Sequence, residues 1–166
     1  EQIVDVGSFE NPVVIAADET VQLRAGGRDL FGTVFRINGP FTYEVVAGGG
    51  SVNSLGRFTA GTVAGDFPQT LRIAKGSISR LSNVIVTPAE PHSIVISKPA
   101  QTVGTTRTLQ YSAEVRDRFG NVIPNAPVTW SLANAADAQI NATGRVTAGC
   151  VPGSFGSAVV ATSGLS

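Results

Sequence analysis

The chain has 166 residues with 12 basic and 12 acidic side chains, 19 glycines, 9 prolines, no methionine, and single copies of His, Cys and Trp. A formal charge of zero with no run of either sign gives poor support to a nucleic-acid or anionic-membrane partner, and His92 and Cys150 alone leave little for a metal centre or an activated nucleophile. No apolar run approaches the ~20 residues of a membrane span and no basic segment precedes an apolar one, so the sequence reads as a mature or excised piece.

From the N-terminus, Gln2-Ile3-Val4-Asp5-Val6 is a short apolar stretch of strand character. Val21, Leu23 and Ala25 then alternate with Gln22 and Arg24, which predicts a strand with one apolar and one wet face. Asp29-Leu30-Phe31-Gly32 reads as a turn, with the Asp carboxylate accepting backbone N–H groups and the Gly supplying positive φ. Phe41, Tyr43 and Val45 alternate with Thr42 and Glu44, and Gly48-Gly49-Gly50-Ser51 follows as a loop tip. That glycine run is no phosphate cradle, because neither G-x-G-x-x-G nor G-K-[ST] is present and no helix is predicted after it. Leu71 to Lys75, Gly76 and a last strand Asn83 to Thr87 complete the first half, and Pro88 to Pro91 reads as a stiff linker.

The second half repeats the first at a spacing of 88 residues, as from Gly56 to Gly144. Thr20-Val21-Gln22-Leu23 returns as Thr108-Leu109-Gln110-Tyr111, and Asp29-Leu30-Phe31-Gly32 as Asp117-Arg118-Phe119-Gly120. Gly56-Arg57-Phe58-Thr59-Ala60-Gly61 returns as Gly144-Arg145-Val146-Thr147-Ala148-Gly149. Between them Leu109, Tyr111, Ala113 and Val115 alternate with polar neighbours, as do Val128, Trp130 and Leu132. No stretch carries a 3.6-residue apolar stripe with a cap and a stop, so the expected class is all-β with antiparallel sheets.

The run Tyr111-Ser112-Ala113-Glu114-Val115-Arg116-Asp117-Arg118-Phe119-Gly120-Asn121, then Pro124 to Trp130, Gly144 to Gly149 and Ala161 to Gly164, resembles bacterial immunoglobulin-like (BIG) repeats of invasin- and intimin-type surface proteins. The resemblance covers nearly all of the second copy and, more loosely, the first. It implies two tandem immunoglobulin-like Greek-key β-sandwiches of about seven strands each. The expected division is a module at 1–88, a Pro-bracketed linker at 89–91 and a second module at 92–166. Modules of this kind serve in stalks, adhesins, surface layers, virion proteins and accessory units of secreted hydrolases.

Candidate sites have two readings each. Asp117 with Asn121 reads as a turn staple or as part of a calcium site, although Ca²⁺ wants six to eight oxygens and only two local donors are evident. Trp130 reads as a core anchor or as an exposed carbohydrate platform, its place in the register of Val128 and Leu132 favouring the core. Cys150 stands where Thr62 stands in the first copy and reads as a semi-buried filler, with an intermolecular bridge as the alternative. Asn141-Ala142-Thr143 fits a glycosylation sequon, a match short enough to arise by chance. His92 lies in the linker without a nucleophile beside it, and Asp29 and Asp117 are one turn residue seen twice, so no catalytic, cofactor or metal residues are assigned.

Adding 88 to the last strand of the first copy places its counterpart at about 171–175, so the second sandwich lacks its closing strand within these 166 residues. The gap is compatible with a longer parent chain, with a six-stranded variant, or with a strand donated by another subunit, for which Ile3, Val4 and Val6 are the candidate donor. The expected function is a non-enzymatic extracellular or cell-surface structural or adhesive module pair, with head-to-tail filament growth by strand donation. The alternative is a carbohydrate- or ligand-binding accessory module of a secreted enzyme, which would need an exposed aromatic strip; the facing of Phe9, Phe35 and Phe67 is open.

Overall fold

The computed structural model describes residues 5–8, 10–35, 40–97, 101–134, 137–155 and 158–164. The chain divides into two compact units, Glu1–Ala89 and Glu90–Ser166. Pro91, expected in a linker, is already the first residue of a strand in the second unit.

Unit 1 contains β1 (Asp5–Ser8), β2 (Val13–Ala16), β3 (Thr20–Gln22), β4 (Ala25–Arg28), β5 (Val34–Phe35), β6 (Thr42–Val45), β7 (Gly50–Val52), β8 (Arg57–Ala60), β9 (Gly65–Lys75) and β10 (Ile78–Thr87). A four-stranded sheet runs β2-β10-β9-β6, and two three-stranded ladders run β1-β4-β5 and β3-β8-β7. β1 packs on β9 and β10, and β6 on β7, so the ladders close over the larger sheet as a sandwich.

Alternation places one residue in two at the sheet interface. Val13 and Ile15 from β2, Leu71 and Ile73 from β9, and Val84 and Val86 from β10 are buried, while Val14, Arg72 and Asn83 face out. Phe58 from β8 and Val6 from β1 fill the opposite side, 0% and 2% exposed. Burying each such side chain contributes about 1.5–3 kcal/mol. β10 carries the arrangement because it is paired on both edges: antiparallel to β9 and, through Val84–Thr87, parallel to Val13–Ala16. A register shift between Ser82 and Val84 marks a bulge, where Asn83 Oδ1 accepts from Gln69 N at 2.9 Å and Gln69 takes φ 50°. The bulge turns Thr70 and Leu71 inward in succession, and the Thr70 hydroxyl donates to Gly48 O at 2.7 Å.

The strand expected across Val21 to Ala25 is two strands. β3 pairs with β8 and β4 with β1 and β5, the chain crossing between ladders at Leu23 and Arg24. Leu23 N still donates to Gly56 O at 2.9 Å and the side chain is 6% exposed, so the inward period of two passes through the crossing unbroken.

Unit 2 contains β11 (Pro91–Ile96), β12 (Thr108–Gln110), β13 (Ala113–Asp117), β14 (Thr129–Leu132), β15 (Gln139–Ile140), β16 (Arg145–Thr147) and β17 (Val159–Thr162). β11 pairs with β13, β12 and β15 flank β16, and β14 pairs with β17. These follow the unit 1 ladders at the 88-residue spacing, except that β14 matches β6 one residue short of it, and Leu109 lies opposite Val146 where unit 1 has Val21 opposite Phe58. Its buried apolar core comprises Tyr111, Val115 and Val146 among the described residues.

Truncating Ile73 to Ala should destabilise unit 1 by about 2–5 kcal/mol, because its side chain is fully enclosed. The change is measurable as a lower urea midpoint of a unit 1 reporter such as Tyr43 fluorescence. A loss under about 1 kcal/mol would contradict the sealed core described here.

Candidate functional site

Asp29 and Asp117 hold turns. Asp29 Oδ1 accepts from Phe31 N and Thr33 N, both at 2.9 Å, and Asp117 Oδ1 accepts from Phe119 N and Asn121 N at the same distance. Gly32 and Gly120 close these turns at φ 82° and 87°. Asn121 Nδ2 also donates to Asp117 Oδ2 at 2.8 Å, so both carboxylate oxygens receive N–H donors. This geometry is the staple; a cation at Asp117 would have to displace those donors. Asp117 is 2% exposed, and it is the local hydrogen bonds that make a buried carboxylate tolerable.

A second pair of turns is built on asparagines. Asn53 Oδ1 accepts from Leu55 N at 3.0 Å and Arg57 N at 2.9 Å; Asn141 Oδ1 accepts from Thr143 N at 3.0 Å and Arg145 N at 2.9 Å. Gln22 Nε2 bonds Leu55 O and Gln110 Nε2 bonds Thr143 O, while Arg57 and Arg145 reach Thr20 Oγ1 and Thr108 Oγ1. The shared N-x-x-G-R spelling at 53–57 and 141–145 was the available signal. The sequon at Asn141 is thus one of these turns, with the Thr143 hydroxyl also donating to Asn141 Oδ1 at 2.8 Å.

The aromatics sit over glycines. A Cβ on Gly144 would stand 2.8 Å from Trp130 Cε2, and one on Gly56 would stand 2.7 Å from Tyr43 Cζ. Trp130 and Tyr43 are therefore matching lids, half-buried, on the inward side of β14 and β6. Phe67 likewise lies on Gly49, 2.8 Å from Cγ to a Cβ built there. Phe9 and the side chain of Phe35 lie outside the described residues. Phe31 stands out at a turn tip, 92% exposed, whereas its counterpart Phe119 is half-buried beneath the Arg118 guanidinium, 4.6 Å from the ring centre.

Cys150 corrects the expectation of a semi-buried filler: it is exposed. It follows β16 in a loop held from outside by Asp137, whose Oδ2 accepts from Cys150 N at 2.7 Å. That bond holds the Asp137 carboxyl below the usual range of an aspartate. His92 is exposed on β11.

Two surface features remain. In unit 1 a cleft of about 240 Å³ opens beside Gly26, Gly27, Arg28 and Arg80, with Asp5 paired to Arg80 in its wall. Gly27 corresponds to Val115, which is 2% exposed in unit 2. In unit 2 the outward edge of β17 has no strand beside it among the described residues, where β9 has β10. Val159 and Ala161 are half-exposed there, against 0% for Leu71 and Ile73. Val6, a candidate donor, is committed elsewhere: it pairs with Gly27 in β1 and is 2% exposed, while Ile3 and Val4 lie outside the described residues.

No protein-family model and no curated protein matches the chain. Among solved structures, it is similar to FdeC, an Escherichia coli adhesin, with 15% identity and a TM-score of 0.51 over 96% of this chain and 63% of that one. It is also similar to the surface-layer protein SbsC (residues 31–844), with 17% identity and a TM-score of 0.43 over 98% of this chain and 26% of that one. The chain thus spans 63% of the length of the first and 26% of the second. At these identities the likeness concerns fold. The fold class is all-β, two tandem immunoglobulin-like β-sandwiches.

Replacing Asp117 by Ala should cost about 1–3 kcal/mol, since buried N–H donors lose their acceptor; Asp29→Ala, at a more exposed turn, should cost less. Millimolar calcium should leave the melting temperature of the intact chain unchanged, and a rise abolished by Asp117→Ala would restore the metal reading. For Asp137, the depressed folded pKa means that its hold on Cys150 N–H is present above the ordinary Asp pKa and is lost as pH falls through the folded value. An NMR titration should find its carboxyl midpoint below the roughly 3.9 of a free aspartate, and a normal or raised midpoint would contradict the bond.

Proposed function

We propose that the chain is a non-enzymatic structural or adhesive module pair of a bacterial surface or secreted protein, of the bacterial immunoglobulin-like kind. The observation that carries this reading is the duplicated hydrogen-bond frame: Asp29 and Asn53 in unit 1, and Asp117 and Asn141 at the same spacing in unit 2, are each turned onto their own local backbone. Such residues fix shape and leave little for turnover. The fold likeness to an Escherichia coli adhesin supports placement outside the cell. An accessory ligand-binding module is less well supported, because Phe67 lies on Gly49 and Phe119 under Arg118 instead of lining a strip.

The finer part of the proposal is assembly: the open edge of β17 accepts a strand from another polypeptide, and growth is head-to-tail when the donor is another copy. Donation by Ile3, Val4 and Val6 would require β1 to leave β4 and uncover Val6, exchanging one ladder for another with little net gain. A donor not already paired is favoured.

Antibodies raised against the chain should label intact cells of its source organism, or its culture medium, without permeabilisation. Labelling confined to permeabilised cells would overturn the surface reading. Light scattering of the purified chain over a wide concentration range should show growth with concentration if copies join one another, and a strict monomer throughout removes the head-to-tail step.

A further inference from the structure

We propose that the cleft in unit 1 binds a carboxylated monosaccharide, a uronic acid unit, through Arg28 and Ser82. The site stands on the geometry of unit 1; taking its ligand to belong to a surface glycan rests on the adhesive reading above.

The two copies differ at this place. At the 88-residue spacing Gly26, Gly27 and Arg28 correspond to Glu114, Val115 and Arg116. In unit 2, Arg116 Nη2 donates to Glu114 Oε2 at 2.6 Å and Nη1 donates to Gly120 O at 3.2 Å. In unit 1 a glycine stands where that glutamate stands, and Arg28 makes no ion pair among the described residues. The carboxylate that shares the cleft is already engaged: Asp5 lies opposite Arg28 in the β1–β4 register, but its Oδ2 accepts from Arg80 of β10. Two guanidinium groups against one carboxylate among the lining residues leave a positive wall. A ligand carboxylate at Arg28 supplies the charge that Glu114 supplies in unit 2, and a guanidinium meets a carboxylate with two parallel N–H bonds.

A second observation lies deeper. Ser82 is 2% exposed and lines the cleft, and its hydroxyl has no hydrogen-bond partner among the described residues. A buried hydroxyl in that state is costly unless something polar reaches it, and a ligand hydroxyl matches it as donor and acceptor. Asn11, also on the cleft, uses Oδ1 to accept from Asn83 N at 2.9 Å, which leaves its Nδ2 as a further donor.

Size and walls narrow the ligand. A volume of about 240 Å³ lies below the roughly 300 Å³ at which sites for drug-sized ligands begin, and suits a single sugar ring. Val6 and Val34 offer an apolar side to the C–H face of a ring, and the buried Gly26 and Gly27 let it approach the backbone closely. A peptide is disfavoured as the source of the carboxylate, because β4 is paired on both edges, with β1 and with β5, and gives a second main chain no ladder to join. A sugar needs no ladder, and it brings hydroxyls for Ser82 and Asn11 together with the carboxylate for Arg28.

An NMR titration of the intact chain with sodium glucuronate and sodium galacturonate tests this. Saturable shifts are expected at the amides of Gly26, Gly27 and Ser82, with the amides of unit 2 unmoved. The neutral parents, glucose and galactose, should bind at least about 10-fold more weakly, and Arg28→Gln should lose a similar factor for the uronate. Arg28 is exposed, so this variant keeps the fold, which an otherwise unchanged spectrum verifies. Absence of a saturable shift with either uronate overturns the proposal. Equal binding of acetate or of a short acidic peptide overturns the sugar assignment, and equal binding of the neutral sugars, or an unchanged affinity in Arg28→Gln, overturns the carboxylate contact. Antibody labelling of cells judges the surface reading separately, so failure of one is distinguishable from failure of the other.

Discussion

Two-sided pairing of β10 organises the larger sheet of unit 1. β10 hydrogen-bonds β9 on one edge and β2 on the other, and in doing so it brings Val13, Ile15, Leu71 and Ile73 onto a common inner face. Neither neighbour reaches the other without it. Sheet formation and core burial in unit 1 are therefore one event and not two, since the backbone groups of β10 find partners only where its side chains find the core. Among the described residues unit 2 repeats the turns, the ladders and the lids of unit 1, while β17 pairs with β14 alone and Val159 and Ala161 are half-exposed.

The frame and the core obey different rules. At the turns, side-chain acceptors reach backbone donors two and four residues on, so each turn is specified by a few neighbouring residues and reappears nearly unchanged. At the interface, Phe58 becomes Val146, Tyr43 becomes Trp130 and Gly27 becomes Val115, because volume can be redistributed among neighbours.

This division explains what was legible in the sequence. Asp29 and Asp117 could be read as staples because the bonds they make are local, and the alternation around Tyr43 and Trp130 revealed the inward side directly. The crossing at Leu23 and Arg24 was hidden, since a strand that changes ladder without changing face leaves the period of two intact. Asn141 was read through the sequon and not through its match to Asn53, although the spelling was present. Cys150 was placed by analogy with Thr62, but a loop position has no periodicity to fix its burial, and Thr62 is itself exposed. Val6 resembled an available strand because short apolar strands look alike; only its pairing with Gly27 shows that it is already in use.

The Asn turns at 53–57 and 141–145 have a consequence for divergence. A β-strand that slips by one residue presents its opposite face to the core, so drift in core residues endangers register before it endangers composition. Here the register of β8 and β16 is set at one end by a side-chain amide and a glycine at φ 77° or 78°, independent of whether Phe58 or Val146 follows. Such keyed ends act like the stops on a sliding bolt. They let the interior of one copy wander from that of the other while the two chains of hydrogen bonds remain in step.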